Sequence, residues 1–174
     1  MAKRWLSREI LLKGAFLFLI ILMPSTALAQ TTPRTSGYVF GGGGGISPDD
    51  VFAFWSGTTV RAGFGVEHLF RSGFGILGEI EFLHRPESPG DADSLLLSVN
   101  PVYHFGLGRV RPFVTGGYTA IFGSHGLFNV NIGGGVNYWF QEHIAVRAEF
   151  RNHILAFPTQ LNSYGLRLGF AFGF

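Results

Sequence analysis

The chain closes on SYGLRLGFAFGF, residues 163–174. From Tyr164 onward the even positions read Tyr164, Leu166, Leu168, Phe170, Phe172 and Phe174, and the odd ones Gly165, Arg167, Gly169, Ala171 and Gly173. A helix gathers every third or fourth residue on one face; only an extended strand, whose side chains alternate, separates these two sets. One face is large and apolar, the other small or charged. The segment is also longer than a soluble strand, which usually runs about five or six residues.

The same period of two runs upstream. In FGILGEIEFLH (74–84) Phe74, Ile76, Ile80 and Phe82 share one parity while Glu79 and Glu81 take the other. In IAVRAEFRNH (144–153) Ile144, Val146, Ala148 and Phe150 alternate with Arg147, Glu149, Arg151 and His153, and FNVNIGGGVNYWF (128–140) sets apolar side chains against Asn129, Asn131 and Asn137. Eight such segments are legible, at 36–45, 58–70, 74–84, 95–105, 110–122, 128–140, 144–153 and 163–174. In the first, SGYVFGGGGG, the glycines carry no information about facing.

Most of these segments are close to the roughly 9–11 residues that a tilted strand needs to cross a bilayer. Tight joins follow the second, fourth and sixth (Arg71-Ser72-Gly73, Gly106-Leu107-Gly108-Arg109, Gln141-Glu142-His143), whereas 46–57, 85–94, 123–127 and 154–162 are mostly longer. Short turns at one end and longer loops at the other predict an all-β fold, an eight-stranded antiparallel up-and-down transmembrane barrel over 36–174, with both termini on the periplasmic, short-turn side. Hydrocarbon offers backbone groups no partner, so the last strand must pair with the first and leave no edge. A soluble lipocalin-type barrel also alternates, but it would turn these phenylalanines inward and these charges outward, on shorter strands.

Residues 1–29 read as a cleaved signal peptide: Lys3, Arg4, Arg8 and Lys13, an apolar run from Ala15 to Met23, then Ala27-Leu28-Ala29 before Gln30, with 30–35 a short N-terminal segment. Without the leader, about 145 residues carry nine arginines, no lysine and ten acidic residues, a formal charge of −1. The arginines are scattered singly, so no basic patch points to nucleic acid. There is no cysteine, which excludes disulfides and thiolate metal sites.

Eight alternating strands, an export signal and a terminal Phe174 preceded by Phe172, Phe170 and Leu168 resemble the eight-stranded outer-membrane β-barrel family, the OmpA/OmpX-type transmembrane domain. The resemblance implies a place in a Gram-negative-type outer membrane, among lipid and lipopolysaccharide, as a monomer without cofactor. It also implies that the last strand, through Tyr164, Leu166, Leu168, Phe170, Phe172 and Phe174, is the signal read by the barrel assembly machinery. No soluble domain follows the barrel pattern, so peptidoglycan binding is not implied.

With the apolar faces to lipid, Arg61, Glu67, Glu79, Glu81, Arg111, Arg147, Glu149, Arg151 and Arg167 fall inside. Eight strands enclose a space that side chains just fill, and a buried charge without a partner costs several kcal/mol. A paired charge network that locks the lumen is therefore expected, extended by Asn129, Asn131, Asn137, Thr115 and Thr119; the alternative is a narrow gated pore whose pairs exchange. Tyr103, Phe105, Phe140 and Phe174 are placed to form an interfacial girdle.

No constellation for chemistry stands out. FRNHILAFPTQLNSYGLRLGF (150–170) is similar in position to the His-x-Ser segment of lipid A deacylases, but Leu155 stands where the serine nucleophile should be, and Ser163 is expected to approach His153 only by an accident of loop folding. His153 is expected to bond a carboxylate. GFGILG (73–78) matches a dinucleotide fingerprint in letters only, since a strand and no helix follows. The six histidines have no metal-ligand spacing. Glu87, Asp91 and Asp93 read as a solvated acidic loop, or else as a divalent-ion bridge to lipopolysaccharide. Phe52, Phe54 and Trp55 read as an outward extension of the second strand, or else as a surface for adhesion or ligand contact.

Overall fold

A computed structural model describes residues 33–47, 58–70, 72–86, 93–106, 108–122, 127–155 and 161–174. The leader, the aromatics of the first loop, Glu87 and Asp91 lie outside the described residues.

Eight strands follow one another: β1 (Thr35–Ser47), β2 (Thr58–Leu69), β3 (Phe74–His84), β4 (Ser94–His104), β5 (Val110–Phe122), β6 (Leu127–Trp139), β7 (Ile144–Leu155) and β8 (Leu161–Gly173). Each pairs with its chain neighbours in antiparallel register and β8 pairs with β1, from Ser36 opposite Gly173 to Ser47 opposite Asn162, so the sheet is a closed barrel. The Phe174 amide donates to the Thr35 carbonyl at 3.0 Å, which carries the closure to the last residue.

The cross-strand register, followed from Thr59 through Gly44, Gly165, Arg151, Gly133, Thr115, Val102 and Gly75, returns to β2 ten residues further along, at Leu69. A stagger of that size goes with the strand tilt of about 35–45° that closes a small barrel. The β2–β3 turn is tight because Gly73 adopts φ 81°, and a Cβ there would come 2.9 Å from the His104 carbonyl oxygen.

The outer surface is apolar along its length. Val60, Phe64, Ile76, Phe82, Val99, Val114, Ile132, Val146, Phe150, Leu168 and Phe170 are all exposed on it, as are Tyr103, Phe105, Phe140 and Phe174 near the strand ends. No water-facing sheet presents such a surface; hydrocarbon is the solvent that matches it.

The interior has two parts. Toward the short turns, Tyr38, Phe40, Leu69, Leu77, Val102, Phe113, Trp139, Ala145 and Ala171 form a hydrophobic cluster. Above it the inner face is charged and polar. Large inward side chains lie across from inward glycines: Phe113 is opposite Gly135, where a Cβ would come 2.9 Å from its ring, and a Cβ on Gly165 would come 2.8 Å from Arg61 Nε. Here the glycines make room within a tube too narrow for two large side chains abreast.

Candidate functional site

The alternation of β2, β3, β7 and β8 turns Arg61, Glu67, Glu79, Glu81, Arg147, Glu149, Arg151 and Arg167 into the lumen, each at most 4% exposed. Four guanidinium groups and four carboxylates thus share one enclosed space, and their pairing is continuous.

Arg167 is the hub. Its Nη1 donates to Glu79 Oε1 at 2.6 Å and Glu81 Oε2 at 2.7 Å, and its Nη2 to Glu149 Oε1 at 2.8 Å. Arg151 Nε donates to Glu149 Oε1 at 2.7 Å, with Nη2 on the same oxygen. Arg147 Nε reaches Glu149 Oε2 at 3.1 Å while its Nη1 reaches Glu67 Oε2 at 3.3 Å. Toward the long loops, Arg61 Nη1 donates to Glu81 Oε1 at 2.8 Å and Nη2 to the Ser163 hydroxyl at 2.6 Å. The planar fork of arginine allows one residue to bridge two or three carboxylates, which a lysine could not do with fixed geometry.

Arg111 is equally buried but stands apart. Its Nε donates to the Gly108 carbonyl at 2.9 Å and its guanidinium lies 4.9 Å from the Trp139 ring, with no carboxylate in ion-pair range among the described residues. It belongs to the aromatic floor. Three more cation–π contacts join floor to network: Arg147 lies 4.4 Å from the Tyr38 ring and 4.0 Å from Phe113, and Arg167 lies 4.2 Å from Phe40.

Several members were not foreseen from the sequence. The Tyr38 hydroxyl donates to Glu79 Oε2 at 2.7 Å, and His104 Nε2 lies 2.9 Å from Glu67 Oε1. Among the amides and hydroxyls, Asn131 links Asn100, Thr119 and Arg151, and Asn137 accepts from Arg147. Thr115 instead donates to the Pro101 carbonyl.

Three expectations are corrected. His153 bonds no carboxylate among the described residues: its Nδ1 lies 3.2 Å from the Thr119 hydroxyl. Ser163 does meet His153, without any accident of loop folding, because the regular β7–β8 register sets them opposite each other; its hydroxyl is held by Arg61. Tyr164 is the third. Unlike Leu166, Leu168, Phe170, Phe172 and Phe174, which are exposed on the outer face, it is 5% exposed. Its cross-strand neighbour on β7 is Asn152, also buried, so Tyr164 does not join the exposed apolar stripe that begins at Leu166. In the β3–β4 hairpin, Asp93 pairs with His84 at 2.6 Å on the surface.

A closed antiparallel barrel with an apolar exterior and an ionic interior defines a class, the transmembrane barrels of outer membranes. The family model for the outer membrane protein beta-barrel domain matches residues 15–174, and the chain belongs to that family. No curated protein matches the chain by sequence. Solved structures share the fold: Neisserial surface protein A, with a TM-score of 0.62 at 13% identity over 80% of this chain and 96% of that one; the outer membrane protein OprG from Pseudomonas aeruginosa, 0.55 at 13% over 84% and 99%; and Ail, the attachment invasion locus protein of Yersinia pestis, 0.55 at 15% over 82% and 100%.

Proposed function

We propose that this outer-membrane barrel has a structural or surface-binding role, is not an enzyme, and keeps its lumen closed, with both termini in the periplasm. Lipid and lipopolysaccharide surround it as a monomer. The observation that carries the reading is the unbroken chain of ion pairs from Glu67 to Arg61, resting on the Tyr38, Phe40 and Phe113 rings. To pass, an ion would have to displace charge-assisted bonds in a low-dielectric interior and then cross an apolar layer, and neither step is compensated.

Planar bilayer recording of the purified barrel tests this. No steady current is expected at either polarity. Steady current steps that disappear in Glu149→Ala or Arg147→Ala would establish the narrow gated pore in its place. Deacylation has a separate test: His153 and Ser163 face the lumen, away from acyl chains, so no fatty acid should be released from lipopolysaccharide, and release lost in His153→Ala would restore the enzyme.

The last strand supports a role in recognition by the barrel assembly machinery, since Leu166, Leu168, Phe170, Phe172 and Phe174 form one continuous outward stripe. Deleting Phe174 removes its end and the closing hydrogen bond to Thr35. The folded, heat-modifiable fraction in cells is expected to fall to a minority; an unchanged fraction would show that the terminal residue is not read.

A further inference from the structure

The hydrogen-bonded wall of the barrel is interrupted at one place among the described residues. The other ladders run residue by residue, but the β4–β5 ladder passes from Val99 opposite Tyr118 to Val102 opposite Thr115, omitting Asn100, Pro101, Gly116 and Gly117. Proline is the cause. In an antiparallel pair, alternate residues turn both backbone groups toward the same neighbour. The Phe105 amide donates to the Pro112 carbonyl at 2.8 Å and the His104 amide to the Gly73 carbonyl at 2.9 Å. Val99, Pro101, Tyr103 and Phe105 therefore face β5, and Pro112, Val114, Gly116 and Tyr118 face β4. Pro101 holds a donating position with no N–H to donate, so the Gly116 carbonyl lacks its ladder partner.

Pro112 repeats the defect at the short-turn end of the same seam, opposite Phe105. These are the only prolines in the eight strands. A sheet normally confines proline to an edge, and a closed barrel has none. The residues around the gap do little to hold it shut. Gly116 and Gly117 bring no side chains to cross-strand packing, and Pro101 is exposed on the outer face. Directly behind lies Asn100, fully buried, with its side-chain amide 2.7 Å from Asn131 Nδ2; a Cβ on Gly117 would come 2.5 Å from that amide. From the lumen side the Thr115 hydroxyl donates to the Pro101 carbonyl at 3.0 Å, so a polar side chain already reaches into the gap. The β7–β8 seam is the contrast: its ladder is continuous, and Glu149 and Arg167, opposite each other, are ion-paired across it.

We propose that the barrel wall parts locally at Pro101 and Gly116 while the other seams stay shut, and that the opening admits water to Asn100 and Asn131 without unfolding the barrel. A backbone carbonyl without a donor has no other partner in hydrocarbon, and local opening draws on the least bonded part of a structure. The inference concerns the wall and does not depend on whether the lumen conducts along its axis.

Amide exchange into deuterium oxide, followed by NMR on the ¹⁵N-labelled barrel in lipid nanodiscs, is the test. The amides of Val99, Gly116 and Tyr118 are expected to exchange about tenfold or more faster than those of Arg147, Glu149, Arg167 and Gly169, which cross β7–β8. The side-chain amides of Asn100 and Asn131 should exchange at the faster rate. Pro101→Ala supplies the missing N–H and should slow Val99 and Gly116 to the β7–β8 range, leaving the β7–β8 amides unchanged. Equal exchange at the two seams of the unaltered barrel would overturn the opening, whatever the variant does. So would fast exchange that survives Pro101→Ala, or slowing by one factor at every amide, which reports global stability. Asn100 and Asn131 side chains as slow as the β7–β8 amides would overturn the entry of water.

Discussion

Replacing Arg167 by alanine is expected to cost the barrel about 3–5 kcal/mol, the range for removing one partner from a buried ionic cluster. Three carboxylates, Glu79, Glu81 and Glu149, converge on that guanidinium within 2.8 Å, and all are buried. Without it the four buried carboxylates, Glu67 included, share only Arg61, Arg147 and Arg151, so one negative charge is left unmatched, and Glu79 keeps a single ion pair, to Arg151 at 3.8 Å. Urea unfolding in lipid vesicles measures the loss. Arg111→Ala is the control: with no carboxylate in range it gives up mainly the Trp139 stacking, about 0.5–2 kcal/mol. Equal losses in the two variants would show that the ion pairs do not hold the lumen together.

The second large effect concerns the outer face. Ile132 lies near the middle of β6 with 59% of its surface exposed. Ile132→Arg should cost about 2–4 kcal/mol, because a guanidinium at the bilayer midplane loses its hydration without gaining a partner. Val110, at the short-turn end of β5 and 52% exposed, is the matched position nearer the interface, and Val110→Arg should cost no more than about 1 kcal/mol. The difference between the two, measured by the same unfolding assay, reports depth in the membrane. A tolerated Ile132→Arg would mean that this face meets water.

The strands were legible because each side chain declares its face by size or charge. In β3, β6, β7 and most of β8 the inner and outer sets differ so clearly that boundaries read from the sequence lie within two residues of those observed. β1 was the exception. Its glycines carry no facing information, so nothing marked Tyr38 and Phe40 as inward, and these are the residues that link the aromatic floor to Glu79 and Arg167.

Parity also hid the floor. A rule that sends large apolar residues to lipid does not anticipate Leu77, Val102 or Phe113 turned inward near the short turns. Which charges meet was not legible at all. The pairing of Arg167 with Glu79 and Glu81, more than eighty residues away, follows from closing β8 onto β1 and from the ten-residue stagger, neither of which any local pattern encodes. His104 was passed over for the same reason: alone on its strand it looks like an interfacial histidine, and only the register brings it to Glu67.

Intermolecular nuclear Overhauser effects between detergent acyl protons and protein methyl groups test the orientation of the side chains without altering one of them. Strong effects are predicted at Ile76, Ile132, Val146, Leu166 and Leu168, with none at Leu77, Leu96 or Val102. Acyl contacts at Leu77 and Val102, with silence at Ile132 and Leu168, would contradict a barrel that wears its hydrocarbon outside and its ions within.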